Sequence, residues 1–544
     1  MKTFSNFTRG IMVLLLLIFS CPLINCQNDY FVRVYFRDKG NPQGYRAEDL
    51  LSERSLQRRE KAGLMAPDFR DLPVNPQYIN SVKSLGFSLH CVSKWMNTGL
   101  FRLPSLPDLG TLTALPFVTG AKIVKVPVSK GRTRDKLKFD LSPADLASYD
   151  RPITMLNGYA LHNSGFRGDG VLIAVLDGGF TAADRIESLG SLRGRNGIIS
   201  TWDYVNQDDF VYSDNTHGTA VMSVLAGDMP GYIAGTAPMA DFILLKTEDV
   251  DSEFPCEEDF WAAGAEYADS AGADIISSSL GYSVFDDPAM DYKFSDLDGN
   301  TAFVTRAADI AASKGILVVN SAGNERDNPW QKIIAPSDGD SVVAVGAVDE
   351  NKVISTFSSS GPSADGRVKP DISAMGVLVP LQTSAGFVSR ASGTSFSCPV
   401  ISGMSACLLQ AVPQATNYEI IRALQEGSDR FTSPDNLYGY GIPDMGKVLL
   451  KLEDKYIKIP ENDLEIIPNP TTGTFYLNFK NAPGDFTCEI FTITGKMIYK
   501  STSLVSSGRI VRIDALQNRE QGMYLIRVHS TGSTFTARIL KIRE

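Results

Sequence analysis

Histidine is scarce in this chain, with four in 544 residues, which argues against a His-rich metal centre. Cysteine is sparse as well: seven occur. Cys21 and Cys26 lie in or at the end of the N-terminal apolar stretch. Cys91, Cys256, Cys398, Cys407 and Cys488 are odd in number, widely scattered and in no CxxC spacing. Isolated buried thiols are the expectation, and no disulfide pairing can be read from the sequence. There is no basic excess either. The 52 Lys and Arg stand against 62 Asp and Glu, for a net charge of -10 and a pI near 5.2. A nucleic-acid partner would need a basic surface and is excluded on that ground. Internal repeats and low-complexity segments are absent.

What is present suggests about three domains of roughly 100–250 residues each. A composition of 43% hydrophobic and 21% charged residues is that of ordinary folded protein. Lys2 and Arg9 precede "IMVLLLLIFS", an apolar run of signal-peptide length and too short to span a bilayer. Residues 1–26 are read as a signal peptide cut between Cys26 and Gln27. A lipoprotein anchor at Cys21 or Cys26 is the alternative, but Phe19 and Asn25 fit a lipobox poorly. The chain is expected to be exported.

Residues 27–149 form the next unit. Up to about 130 they read as strand, helix, strand, helix, strand, an α+β pattern. "SKGRTRDKLKFD" follows, a polar run dense in Lys and Arg that suits both a solvated linker and an exposed proteolytic site. From 150 to 452, short apolar runs such as "VLIAVLD", "DFILLK", "GILVVNSAGN" and "SVVAVGAV" alternate with Ala-rich helical stretches. Buried strands alternating with helices predict an α/β domain with a doubly wound, mostly parallel sheet, whose sites gather at the carboxyl ends of its strands. Residues 453–544 open with a Pro- and charge-containing connector. Short alternating strands with polar turns follow, predicting a small β-sandwich.

Three polar residues fall where strand ends meet loops or helix starts. Asp177 ends "VLIAVLD" before two glycines, His217 opens an apolar helix in "NTHGTAVMSVLAG", and Ser395 opens another in "SGTSFSCPV". Each alone has a plainer reading, as a turn residue or a helix cap. Small residues after His217 suggest an accessible ring. Together they supply what acyl transfer needs: a hydroxyl nucleophile, an imidazole that takes its proton and returns it to the leaving amine, and a carboxylate that holds the imidazole tautomer. Asn324, at the end of "VVNSAGN", could donate its amide to the developing oxyanion beside the Ser395 N–H. Such a donor is worth about 3–4 kcal/mol of barrier. Cys398, a better nucleophile by nature, lies a helical turn beyond Ser395 beside Pro399 and is expected to pack as a small apolar residue.

The order Asp, His, Ser, carried by "VLDGG", "HGTAV", "SAGN" and "GTSFSCP", resembles that of the subtilisin-like serine peptidases, the subtilases. The likeness covers roughly residues 150–450. It implies a subtilisin-like fold, Asp177, His217 and Ser395 as the triad, and Asn324 as the oxyanion residue. "SSSLGY" is similar to the family's substrate-pairing strand, implying Ser279, Leu280 and Gly281 in substrate binding. Two positions depart from the pattern. Gly178 stands where the family usually has Ser or Thr, which removes a hydrogen bond near the carboxylate, and Phe396-Ser397 stand where Met-Ala is usual. Glu325, beside Asn324, hints at tolerance of basic residues in the adjoining pocket, though a solvent-facing carboxylate is the plainer reading.

The flanking units fit the same resemblance. Residues 27–149 look like a ferredoxin-like propeptide that inhibits the enzyme intramolecularly until it is cut within 128–149; a permanent accessory domain is the alternative. "IIPNPTTGTF", "ITGKMIYK" and "QGMYLIRV" resemble the type A sorting domain of the type IX secretion system, implying recognition by that machinery and passage across an outer membrane to the exterior or the cell surface. An ordinary binding sandwich is the alternative there. Structural calcium is common in the family, but "SDLDGN" lacks the spacing of a calcium loop and reads as a polar turn, so no metal ligand is assigned. His90, His162 and His529 are expected to be structural. The expected function is a secreted serine endopeptidase acting on protein or peptide substrates and made as a zymogen. The alternative is an adhesin built on an impaired scaffold.

Overall fold

In the computed structural model, the described residues are 29–127 except 43, 137, 139–143, 149–456, and 464–542 except 494, 502–503, 507 and 531–532. The signal-peptide reading and most of the basic linker lie outside them.

Alternating "YFVRVYF" forms the strand Tyr30–Phe36, central in an antiparallel sheet with Ser88–Ser93, Thr98–Leu103 and Val118–Lys125. Where three strands were expected there are four. "SLHCVSKWMNTGLFRL" folds back on itself at Asn97, whose φ of 53° makes the turn, and the short helix Leu109–Thr113 follows. The sheet order, second strand, third, first, fourth, is that of a ferredoxin-like fold. One face of this sheet buries Val32, Val34, Ile79 and Val82 in a core of its own. The other places Phe31, Leu100 and Val124 in one cluster with Phe260 and Trp261 of the helix Cys256–Ala271 and Phe303 of the helix Phe303–Ser313.

Polar contacts cross the same boundary. The Arg33 guanidinium binds the Asp259 carboxylate with Nε 2.9 Å from both oxygens and Nη2 2.6 Å from Oδ2, and lies 3.5 Å from the centre of the Phe303 ring. Glu266 accepts from the backbone N–H groups of Lys94 and Trp95 at 2.9 and 3.0 Å, and from Ser93 Oγ. Charges this deeply buried persist only when paired and hydrogen-bonded.

The middle of the chain is organised by a seven-stranded parallel sheet. Across it run Ile372–Met375, Val342–Val348, Leu317–Ser321, Ile275–Ser278, Leu172–Asp177, Asp241–Lys246 and Ile198–Asp203. These strands read as unbroken apolar runs because helices cover both faces. The two large apolar clusters of the domain lie one on each side, with Ile173 and Val175 facing one and Leu172, Ala174 and Leu176 the other. The strand order turns at Leu172–Asp177, the first in chain order, which has the third and fourth as neighbours. A doubly wound sheet opens a crevice at such a point, outside the strand carboxyl ends.

The helix Met445–Tyr456 runs past residue 452, and its Val448, Leu449 and Leu452 remain in the core of this middle unit. Beyond it, two antiparallel sheets pack face to face around Phe475, Leu477, Ile490, Ile526 and Val528. "FTCEIFTITGKMIYK" supplies two of their strands, Gly484–Thr492 and Met497–Lys500.

Candidate active site

The strand Leu172–Asp177 ends at the crevice because two glycines follow. Gly179 has φ 145°, and a Cβ there would stand 2.5 Å from the Ser213 carbonyl oxygen and 2.9 Å from the Asn215 nitrogen. The strand end can therefore lie directly on the loop that delivers His217. Gly218 has a related reason: a Cβ would meet the Gly179 carbonyl oxygen at 2.5 Å, and its N–H donates to that oxygen. The small residue after His217 thus serves close approach, not exposure of the ring. The ring is in fact covered, with His217 only 3% exposed. Its backbone N–H is capped by Asn215 Oδ1 at 2.7 Å.

Asp177 is wholly buried, and its carboxylate faces His217 Nδ1 at 2.9 and 3.0 Å while Oδ1 also accepts the Gly178 N–H at 2.8 Å. The backbone amide supplies a hydrogen bond where the side chain of a Ser or Thr at 178 is lacking. This arrangement fixes Nδ1 as the donor nitrogen and leaves Nε2 to act as base.

Ser395 lies in the first turn of the helix Thr394–Ala411, where a backbone N–H has no partner within the helix. The helix continues through Pro399, which has no N–H to offer the Ser395 carbonyl four residues back. Ser279 Oγ takes that place, donating to the Ser395 oxygen at 2.9 Å. Ser395 Oγ donates to the Ser279 carbonyl at 3.4 Å, and among the described residues no hydrogen bond joins it to His217. The strand-end residue Ser279 therefore holds the nucleophile segment at two points. Asn324 Oδ1 accepts from Thr394 N at 2.9 Å and Thr394 Oγ1 at 3.0 Å, which orients the side-chain amide and leaves Nδ2 as a donor to the cleft.

His217, Ser279, Leu280, Gly281, Asn324 and Ser395 line one cleft holding about 140 Å³ of open space. All the residues singled out in the sequence thus meet here, with Asp177 behind the imidazole. The hydroxyls and the thiol that neighbour Ser395 in "ASGTSFSCPV" are engaged elsewhere. Ser392 Oγ accepts from Leu378 N at 3.0 Å, Ser397 Oγ donates to the Thr394 carbonyl at 3.0 Å, and Cys398 is fully buried with its thiol pushed up to about 12 by burial.

The cleft also holds residues the sequence did not point to. Leu137 and Phe139, from the end of the basic linker, line it with Glu248 and Glu253, and they are joined by Glu325, which the sequence had already singled out beside Asn324. The Phe139 ring meets the His217 ring edge-on at 5.8 Å and the Phe396 ring at 5.3 Å. Glu248, Glu253 and Glu257 place carboxylate oxygens within 4.8 Å of one another, but Glu257 accepts the N–H groups of Asp249 and Phe254, and Tyr282 OH donates to Glu248. The acid-rich "TEDVDSEFPCEED" after a buried strand was the signal that could have drawn attention to this wall. "SDLDGN" is a turn in which Asp298 accepts from the N–H groups of Asn300 and Thr301, each at 2.8 Å. His90 and His162 are buried against the carbonyl oxygens of Tyr204 and Thr236, and burial holds both at about 4. His529 pairs with Thr534 Oγ1. The five cysteines beyond the N-terminal stretch are free thiols.

Comparison with known proteins gives three family matches. The subtilase family model matches residues 168–441, the peptidase S8 propeptide domain of Bacteroidota residues 31–138, and the secretion system C-terminal sorting domain residues 465–542. Serine protease AprX of Bacillus subtilis (strain 168) is 30% identical over 338 residues, spanning 56% of this chain and 71% of that protein. Subtilisin E of the same organism is 29% identical over 293 residues, spanning 53% and 68%. Among solved structures, MycP3 protease from the type VII (ESX-3) secretion system aligns with a TM-score of 0.45 at 24% identity, covering 57% of this chain and 91% of that one.

Proposed function

The chain belongs to the subtilase family, and on that premise we propose that it is a serine endopeptidase acting through Asp177, His217 and Ser395 by way of an acyl-enzyme. It is a protease with its own propeptide domain and a C-terminal sorting domain that implies export. The observation that carries the residue assignment is the buried Asp177–His217 pair at 2.9 Å, beside a cleft shared by His217, Ser395 and Asn324.

In the reaction, Ser395 Oγ exchanges the Ser279 carbonyl for His217 Nε2, gives up its proton there and attacks the scissile carbonyl carbon. The negative oxygen is received by Asn324 Nδ2 and the Ser395 backbone N–H. His217, held by the Asp177 carboxylate, passes the proton to the leaving amine, and water repeats the sequence on the ester. Ser279, Leu280 and Gly281 border the peptide on the acyl side. Leu137 and Phe139, residues from the interior of the chain, line the cleft, which supports endopeptidase action over trimming from an end. The survival of all four reacting residues favours the enzyme over an adhesin on an impaired scaffold.

We read residues 1–26 as signal peptide, 27–149 as propeptide and linker, 150–452 as the catalytic unit and the remainder as connector and sorting domain, with the type IX machinery as the export partner. Among the described residues, no helix is long and apolar enough to cross a membrane. The test is casein digestion by wild type, Ser395→Ala and Asn324→Ala. Loss of turnover in the first and a fall of about 10²–10³ in kcat in the second are expected; undiminished digestion by Ser395→Ala refutes the assignment.

A further inference from the structure

We infer that the sorting domain holds a binding site for a phosphate ester, in a polar cavity lined by Lys541 and Arg519. The cavity offers about 570 Å³ of open space. It forms where the turn at 471–474, the loop at 514–521 and the end of the strand Ser533–Lys541 meet. Among the described residues, no Asp or Glu lines it, although the chain as a whole carries a net charge of -10. The catalytic cleft has the opposite character, with Glu248, Glu253 and Glu325 in its wall. The inference is independent of the triad.

Lys541 is the group that calls for a ligand. It is 7% exposed, and among the described residues no carboxylate pairs with it. Arg33, Lys125, Lys246 and Lys369 are as deeply buried, and each meets a carboxylate at 2.6–2.9 Å. A buried cation without a counter-charge is costly. Of the three N–H groups of Lys541, one donates to the Thr472 carbonyl and one to the Gln517 carbonyl at 3.3 Å. The third N–H and the whole positive charge are left for an anion. Gly473 permits this burial: its φ is 146°, and a Cβ there would stand 2.6 Å from Gln517 Cα and 3.1 Å from Lys541 Nζ.

Arg519 adds a second cation. Its Nη2 donates to the Ile498 carbonyl at 2.9 Å, and no carboxylate among the described residues pairs with it. The side-chain amides of Asn518 and Gln521 line the same wall without hydrogen-bond partners among the described residues. Asp514 and Glu520, in the same loop, do not line the cavity, and Asp514 is paired with Arg512 at 3.1 Å. An ammonium, a guanidinium and two amides offer more hydrogens than the two oxygens of a carboxylate accept well, and they suit the three oxygens of a phosphate. The space exceeds that of a bare phosphate ion, so the phosphate is carried on a larger group, to which Ile542 offers an apolar contact. A soluble ester and a lipid headgroup present the same chemistry.

The test is calorimetric titration of the full-length chain, in a Ser395→Ala background, with glycerol 3-phosphate and with glycerol. Saturable binding of the first and none of the second are expected. Lys541→Met and Arg519→Gln should each weaken binding about tenfold, the worth of one charge-assisted hydrogen bond, while Lys496→Gln, on the same domain but outside the cavity, should leave it unchanged. Arg519 is exposed, so its variant decides the matter if Lys541→Met fails to fold. A second arm sediments the chain with phosphatidylcholine vesicles with and without phosphatidic acid. Sedimentation that needs phosphatidic acid and is displaced by glycerol 3-phosphate assigns a membrane source; glycerol 3-phosphate binding without sedimentation assigns a soluble one. Absence of binding in both arms, or equal affinity in wild type and Arg519→Gln, overturns the site.

Discussion

Acidification should release the propeptide, and His90 should set the pH at which it does so. His90 sits on the propeptide strand Ser88–Ser93, is 7% exposed, and donates from Nε2 to the Tyr204 carbonyl of the catalytic unit at 2.8 Å. The rings of Phe31 and Phe260 enclose it at 5.2 and 5.0 Å. Burial, with the Arg102 and Lys125 charges, lowers its pKa from 6.5 to about 4. Once the propeptide is released, the ring meets water and titrates near its ordinary value. The sign follows: above 6.5 both states are neutral and the complex is at full strength. Between 6.5 and 4 the free propeptide takes up a proton that the complex refuses, so affinity falls. The full difference is about 3 kcal/mol, or about 300-fold, at 1.4 kcal/mol per tenfold. Glu266, whose carboxyl burial raises, acts in the opposite sense, so the decisive quantity is the difference between two proteins. Self-cleaved complex of wild type and of His90→Gln, each blocked at Ser395 with a fluorophosphonate, is titrated from pH 7.5 to 4.5 while released propeptide is measured by size exclusion. Wild type should lose affinity more steeply than His90→Gln. Equal slopes refute the argument.

Further outcomes follow from the same geometry. Arg33→Met leaves Asp259 buried without its partner and should destabilise the precursor by about 3–5 kcal/mol, read as a lower urea midpoint. The network in which Arg59 bridges Asp71 and Asp269 should persist through mild acid, since its hydrogen bonds hold the Asp71 carboxyl at about 2. Its contribution is complete above the ordinary carboxylate range near 4 and is lost only as pH falls towards 2, visible as a second, lower step when the release titration is carried on from pH 4.5 to 2. Thiol reagents should leave activity intact while a fluorophosphonate abolishes it, because the Cys398 thiol is fully buried and protonated; inactivation by a small alkylating reagent at Cys398 would contradict the burial.

Much of the site was legible in the sequence, for a physical reason. A doubly wound parallel sheet announces itself as short apolar runs alternating with Ala-rich helices, and its site must lie at strand carboxyl ends. Asp177 and Asn324 could therefore be located from pattern, whereas Ser279 came only from the family resemblance. The four-stranded propeptide sheet was undercounted because the turn at Asn97 interrupts an alternating run without Gly or Pro, relying instead on a positive φ at an Asn. Gly218 was misread because close approach between two backbones leaves no trace in one dimension.

By itself the sequence determined the α/β class of the middle unit and the order of propeptide domain, subtilase domain and sorting domain, and it offered Asp177, His217, Asn324 and Ser395 as candidate reacting groups. Each of these depends on local composition or on residues close together in the chain. The tertiary structure alone decided what those residues do to one another. Sequence did not foretell that Ser279 substitutes for the N–H that Pro399 lacks, 120 residues away in chain number. Nor did it foretell that Gly178 yields its side-chain space to Leu137, or that a basic, polar-looking linker ends with Phe139 packed against the His217 imidazole. Such contacts join segments distant in the chain, and only the folded packing of helix, strand end and linker brings them within bonding distance.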